Sequence, residues 1–524
     1  MKNKLIMLLA VIFLLPNLAL ASAGERDTSR CTKECIEKAQ GREAAKKKPE
    51  PYAADAPMLY EKAMNMSILW VIPFAGILLS IAFLPLFVPT FWHSHYGKVS
   101  LFWGVVFFAA FSMNYGLGIS FFYLVETYAH EYIPFICLLL ALFTISSGIR
   151  LKGDLVGTPV VNLILLSIGT CLASIMGTTG AAMLLIRPVL RSNSWRKNKV
   201  HIVVFFIFLV ANIGGSLTPL GDPPLFLGYL RGIDFTWTLF HMGPVTAFAV
   251  VFLLVFFFIM DTYYYKKETN KPPKGSGEKL SIEGKRNFLF FPLVMASVLF
   301  SSLDLGIAFV LYYVNIEWAS LGQILSLLAI TFVSFKITPK EVLAANDFNW
   351  EPIIEVSKLF ASIFITMVPV LAMLKVGAEA VSFDPTISAD AAGPLGMVIK
   401  SIFDSNGNPI DLRFFWVTSS LSVFLDNAPT YLVFFQAAGG DAIELMCPGH
   451  RASTLLALSI GTVFIGGCSY IANAPNFMVK NIAEQSGVEM PSFFGYIFKY
   501  SMTILIPLLL LITFFYPFIL KITF

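Results

Sequence analysis

The chain reads as an all-α polytopic membrane protein, an inverted repeat of five spans plus one re-entrant hairpin in each half, with two interrupted helices. Three observations lead there. Charged residues make up 13% of the 524 positions while 56% are apolar and 15% aromatic, whereas a soluble domain carries about 25% charged residues. Mean hydropathy is +0.73, too apolar for a water-exposed surface. Apolar stretches of the length a bilayer-spanning helix needs, about 20 residues, recur from Ile68 to Leu520. A net charge of +4 reflects loop lysines and arginines, not a nucleic-acid face.

At the N-terminus, Lys2 and Lys4 precede an apolar run from Leu5 to Leu20, and small residues follow at Ala19-Leu20-Ala21 and Ala21-Ser22-Ala23. So short a run, ending in A-x-A patterns, predicts a cleaved signal peptide over 1–23, with an uncleaved anchor as the alternative. Either way the polar tail over 24–66 is expected on the periplasmic side of a cell inner membrane. It holds Cys31 and Cys35, where a disulfide is redox-permitted. No C-x-x-C pair occurs among the six cysteines, which argues against a zinc site. Cys137, Cys171 and Cys468 lie in apolar segments and read as small packing residues.

Hydropathy predicts spans near 67–90, 100–127, 132–150, 200–225 and 239–263, a first transmembrane repeat over 67–265. A cytoplasmic linker rich in Lys, Pro and Gly, 266–287, leads to a second repeat over 288–524, with spans near 288–313, 319–335, 351–376, 452–475 and 492–520. Two apolar stretches, 158–190 and 412–437, are broken near their centres, at Met176-Gly177-Thr178-Thr179-Gly180 and at Asp426-Asn427-Ala428-Pro429. Both predict re-entrant hairpins, because non-helical backbone persists at membrane depth only when buried in protein or lining a wet cavity. The charge bias of the loops supports this map. With the N-terminus outside, the inner side collects most basic residues, including Lys98, Arg150, Arg187, Arg191, Arg196 and seven between Lys266 and Arg286. The outer connections hold Arg231, Lys375, Lys400, Arg413, Arg451 and Lys521. Five crossings are an odd number, so the second half starts on the opposite side from the first. Ile213-Gly214-Gly215 also precedes Pro223 by the same spacing as Ile465-Gly466-Gly467 precedes Pro475. In secondary transporters such repeats place the substrate site where discontinuous helices expose backbone groups.

The first interrupted helix runs from Asn212 to Pro224, with Ser216, Thr218 and Asp222 among its glycines and prolines; the second runs from Gly466 to Asn476 and includes Asn473. Proline removes an amide donor and glycine permits unwinding, so freed carbonyls and the Ser216 and Thr218 hydroxyls offer hard oxygen ligands to an alkali cation. The bland alternative is a kink whose polar residues satisfy its own broken backbone bonds. Asp222 and Asp426 tilt the balance, because an intramembrane carboxylate costs on the order of 2.5–3.5 kcal/mol and usually faces a pathway. A carboxylate can hold a proton or a sodium ion, which is the minimum chemistry for exchange. A helix N-cap is the alternative for Asp426, and an interfacial turn for Asp222. Asp304, read as mid-span, is a weaker proton-relay site. His201 reads as structural at the inner interface, and His93-Ser94-His95 as interfacial anchoring in a short inner loop.

The runs Met176–Ala182, Gly214–Pro224, Leu425–Thr430 and Gly466–Pro475 resemble the ion transporter superfamily, most closely its NhaD-type sodium/proton antiporters and citrate-transporter-like members. The resemblance extends over roughly residues 67 to 520. It implies an elevator-type homodimer with sites at the hairpin tips and the interrupted helices. Carried over residue by residue, it points to Thr178, Thr179, Asp222, Asp426, Asn427 and Asn473, with Ser216, Thr218 and Asn476 beside them and sodium at Asp222 and Asp426. The divalent-anion branch carries Ser-Asn-Thr at its hairpin tips. Here the tips read Gly177-Thr178-Thr179 and Asp426-Asn427-Ala428, and Asp426 would repel an anionic substrate. The expected function is therefore sodium or lithium exchange for protons, without a cofactor beyond those transported ions, with membrane lipid and small cations as partners and no nucleic acid. The alternatives are a symporter of citrate-like organic anions or oxyanions and an intramembrane aspartyl protease. The protease is disfavoured because Pro219-Leu220-Gly221-Asp222 departs from the Gly-x-Gly-Asp that such enzymes carry.

Overall fold

The computed structural model describes residues 58–270, 272, 280–447 and 451–524; the expected signal peptide and the Cys31–Cys35 pair lie outside them. The protein is an all-α polytopic membrane protein with two small β-ribbons. Among the described residues eight helices are long and apolar enough to cross a membrane, or up to nine if one bent pair is a single span.

The first half opens with α1 (Ile68–Phe87), α2 (Pro89–Tyr115) and α3 (Leu117–Ser147). The chain turns at Val88 and at Gly116, whose φ of 91° and ψ of 151° suit only glycine. The expected loops near 91–99 and 128–131 are therefore helical. His93 and His95 sit inside α2, and Tyr128–Tyr132 forms a π-turn within α3. The first hairpin is α4 (Pro159–Met176) and α5 (Thr178–Ser192), packed together with only Gly177 between them. Gly177 adopts φ 80° and ψ 150°, again glycine geometry. The first interrupted helix is α6 (Val200–Leu209), a 3₁₀ turn over Ile213–Leu217, and α7 (Pro223–Leu230). Next comes α8 (Trp237–Lys266).

A two-stranded antiparallel ribbon, β1 (Arg150–Lys152) with β2 (Ser281–Glu283), ties the end of the linker back to the first half. The expected span 288–313 is not one. A 3₁₀ turn over Lys285–Leu289 and α9 (Phe290–Phe300) are helical there, followed by a turn and an antiparallel ribbon, β3 (Ile307–Leu311) with β4 (Val314–Glu317). The helix ends at Ser301, and Gly306 at φ 73° with the Asp304 carboxylate, which accepts from the Gly306 amide at 3.4 Å, shapes the turn that leads into β3. The β-branched and aromatic run beyond them favours strand. Then follow α10 (Trp318–Ile337), α11 (Glu351–Thr366) and α12 (Val368–Phe383), the last two bent by 46° at Met367. The second hairpin is α13 (Asp411–Ser422) with α14 (Asn427–Ala437). The second interrupted helix is α15 (Ala452–Ile465), a 3₁₀ turn over Gly466–Cys468, and α16 (Ala474–Gln485). The last long helix is α17 (Phe493–Thr523).

Burial orders these elements. Every residue from His201 to Leu209 in α6, and from Thr454 to Ile465 in α15, is buried, as expected for helices apolar all round at the centre of a large core. By contrast α1, α2, α8 and α17 expose large apolar side chains such as Leu69, Phe102, Ile259 and Phe518, the surfaces that lipid would cover. Cys137 and Cys468 pack inside as expected, whereas Cys171 is exposed on α4.

Candidate functional site

Both interrupted helices break for local reasons, and the breaks meet. In the first, Pro223 and Pro224 occupy the opening positions of α7 and offer no amide hydrogen. Asp222, the N-cap residue, makes no side-chain capping bond to its own helix. Its carboxylate turns instead to three other elements. Oδ1 accepts from Thr178 Oγ1 at 3.3 Å and from Asn473 Nδ2 at 3.0 Å, and Oδ2 accepts from Asn427 Nδ2 at 2.8 Å. Thr178 is the tip of the first hairpin, Asn427 the tip of the second, and Asn473 the second break. All four side chains are at most 2% exposed. The three donors are neutral, so the carboxylate at the positive end of α7 has no cationic side chain among its hydrogen-bond partners.

The main chain repeats the arrangement in each half. Thr178 N donates to Gly221 O at 2.8 Å, and Asn427 N donates to Ala472 O at 3.1 Å. Each hairpin tip is thereby tied to the break of its own half. These bonds set Asp222 opposite Asn473, one position away from the pairing that the Gly-Gly-to-Pro spacing suggests.

Asp426 behaves differently from Asp222. Its carboxylate caps α14 by accepting from Ala428 N at 3.0 Å, which is the N-cap alternative. The second hairpin reaches Asp222 through Asn427 instead. The Asn427 Oδ1 atom is buried without a hydrogen-bond partner, a free acceptor beside the carboxylate.

The remaining expected ligands divide. Thr179 is half-buried next to Thr178 and is not among the donors to Asp222. Ser216 Oγ donates to Ile213 O at 2.8 Å and meets Thr246 Oγ1 at 2.7 Å. Thr218 Oγ1 donates to Ser174 O. Both hydroxyls thus fasten the first break to its neighbours and do not face Asp222. Asn476 Nδ2 donates to Gly466 O at 2.6 Å and Ser469 O at 2.8 Å, satisfying carbonyls that the second break releases. Asp304 is exposed on the turn before β3, not mid-span, and takes no part in the cluster.

Two features escaped the sequence reading. Asn212 joins the breaks: its Nδ2 donates to Asn476 Oδ1 and to Ile207 O, each at 2.7 Å, and its Oδ1 accepts from Asn473 Nδ2 at 3.1 Å. Asp261, wholly buried in α8, accepts from Asn162 Nδ2 at 2.9 Å and lies 2.8 Å from His201 Nε2 and 2.5 Å from Arg196 Nη2. Asn162 and Asn193 exchange amide hydrogen bonds at 3.0 and 2.7 Å, which sews the two feet of the first hairpin together. Arg196 is therefore a buried partner rather than a loop charge. The signal for Asp261 was present, a lone carboxylate after Phe256-Phe257-Phe258-Ile259-Met260.

A family model described as "Putative citrate transport" matches residues 63–517. No curated protein matches the chain.

Proposed function

Because the chain belongs to this citrate-transport family, we propose that its secondary transport is the exchange of sodium, or lithium, for protons. The observation that carries this reading is the buried Asp222 carboxylate, held by neutral donors from both hairpin tips and from the opposite break. A carboxylate in such a place accepts one proton or one alkali cation, and the two exclude each other. Asn427 Oδ1, unpartnered and buried, supplies a second hard oxygen for a cation. Loading also changes what the tips hold on to. An ionised Asp222 attracts the Thr178, Asn427 and Asn473 donors, whereas a neutralised one attracts them less, so occupancy is coupled to tip position. Asp426 contributes negative charge nearby and order at the second tip, and a homodimer completes the proposal. Each unit charge moved across the membrane is worth about 2.3 kcal/mol per 100 mV, so an uneven exchange is driven by voltage.

The test is sodium-driven proton flux in proteoliposomes. Wild-type protein is expected to acidify or alkalinise the lumen according to the sodium gradient, and Asp222→Asn is expected to lose this flux while eluting as the same monodisperse species. Retained flux in Asp222→Asn would remove that residue from the mechanism.

The family description favours a second reading, coupled uptake of a citrate-like anion. Sodium-dependent uptake of labelled citrate, without proton flux driven by sodium alone, decides for it. A protease needs two carboxylates turned toward one peptide bond. Asp426 turns to Ala428 N instead, which supports transport.

A further inference from the structure

The helix that carries Asp222 is also held at its other end. Arg231 is the C-cap of α7, nine residues on from Asp222 or about 13.5 Å along the axis at 1.5 Å per residue. Its Nη2 lies 2.7 Å from Glu131 Oε1. Glu131 sits in the π-turn of α3, and π-turns recur where a helix serves a function. That turn is firmly anchored: Tyr128 OH donates to Ala361 O at 2.9 Å and Tyr132 OH to Ser357 O at 3.0 Å, both on α11. His130 Nε2 lies 3.1 Å from Asn315 O of β4. On its other face α7 belongs to the site. Gly228 lies so close to the second hairpin that a Cβ there would stand 2.6 Å from the Tyr431 hydroxyl. The ion pair thus bridges the site-bearing elements and the helices around them.

The pair is only half made. An arginine and a carboxylate can meet through two parallel bonds, yet Glu131 Oε2 and Arg231 Nε are both buried without a hydrogen-bond partner. The side chains are 16% and 23% exposed, respectively. Asp261, by comparison, is wholly enclosed among three partners. A single contact between part-exposed side chains is the kind that can open and close, whereas a fully enclosed pair strands a charge when it parts. Alternating access requires the site-bearing bundle to move against the rest, and this contact joins α7, which follows Asp222, to α3, which supplies no donor to Asp222.

We propose that the Glu131–Arg231 ion pair is a latch of the transport cycle, holding α7 against the tyrosine-anchored π-turn in this state and parting each time Asp222 changes sides. Both are positioning residues and neither touches the ion. The proposal rests on the secondary-transport reading but not on which solute moves. The experiment uses Glu131→Cys/Arg231→Cys in proteoliposomes, assayed before and after a short bifunctional thiol cross-linker that dithiothreitol cleaves. Cross-linking is expected to abolish flux and dithiothreitol to restore it, while each single cysteine variant is unaffected by the reagent. Full flux with the cross-link verified by mass spectrometry overturns the latch. If the untreated double variant carries no flux, the charge swap Glu131→Arg/Arg231→Glu decides. Recovery to about tenfold above either single variant is the expected coupling of a contacting pair, and no recovery overturns the proposal. Wild-type flux of sodium, protons or citrate in the same preparation separates a failed latch from a failed transport reading.

Discussion

Asp222 and Asp426 both stand at helix N-caps, but their first-turn neighbours send the carboxylates in opposite directions. The residues after Asp222 are prolines without amide hydrogens, so its carboxylate is released to Thr178, Asn427 and Asn473. After Asp426, Asn427 and Ala428 retain their amides, and Ala428 N takes the carboxylate. Asparagine and aspartate rank together as N-caps. Asp426→Asn is therefore expected to keep flux within a few-fold of wild type, where Asp222→Asn loses it. Equal loss in both, measured side by side in proteoliposomes, would give Asp426 a direct part in ion handling. At this scale much of the site was legible, because Thr178, Asp222, Asn427 and Asn473 all lie in polar interruptions of apolar sequence. Ser216 and Thr218 lie in the same interruptions and were expected to do the same work. Which way each hydroxyl turns depends on a group from another element, Ser174 O of α4 for Thr218 and Thr246 Oγ1 of α8 for Ser216, and no local pattern encodes that.

At the scale of elements, backbone approach sets the tolerance of the breaks. Gly221 lies against Gly215 so closely that a Cβ would collide with the Gly215 carbonyl, and a backbone obstacle cannot rotate away. Gly221→Ala is expected to disturb the first break, lowering both flux and the temperature at which the detergent-solubilised protein loses monodispersity. Gly243, within α8, has open space where its Cβ would go, and helix propensity favours alanine by about 1 kcal/mol. Gly243→Ala should leave both readouts intact or raise the second. A Gly221→Ala protein indistinguishable from wild type would mean that the break rearranges freely. The hairpins and interrupted helices were legible as elements, because glycine, proline and polar residues punctuate long apolar runs. The β3–β4 ribbon was not. Hydropathy cannot tell an apolar strand from the end of an apolar helix, and the turn that separates them is marked only by Asp304 and Gly306.

For the whole molecule, the bias of the loop charges predicts an orientation in which the 266–287 linker is cytoplasmic. A single cysteine in that linker is expected to be shielded from an impermeant thiol reagent in right-side-out vesicles and labelled in inverted ones. The reverse pattern would invert the orientation. Composition alone determined that lipid, not water, surrounds most of this chain, and the punctuation of its apolar runs determined where helices break and which polar residues enter the interior. Those are properties of single segments, so a linear sequence carries them. The convergence of Thr178, Asn427 and Asn473 on Asp222, the pairing of Asp222 with Asn473, the bridge made by Asn212 and the enclosure of Asp261 with Arg196 and His201 were decided only in three dimensions. Each joins groups from separate helices, and their geometry comes from packing of the assembled bundle, in which a buried polar group takes whatever partner the neighbouring backbone brings within reach.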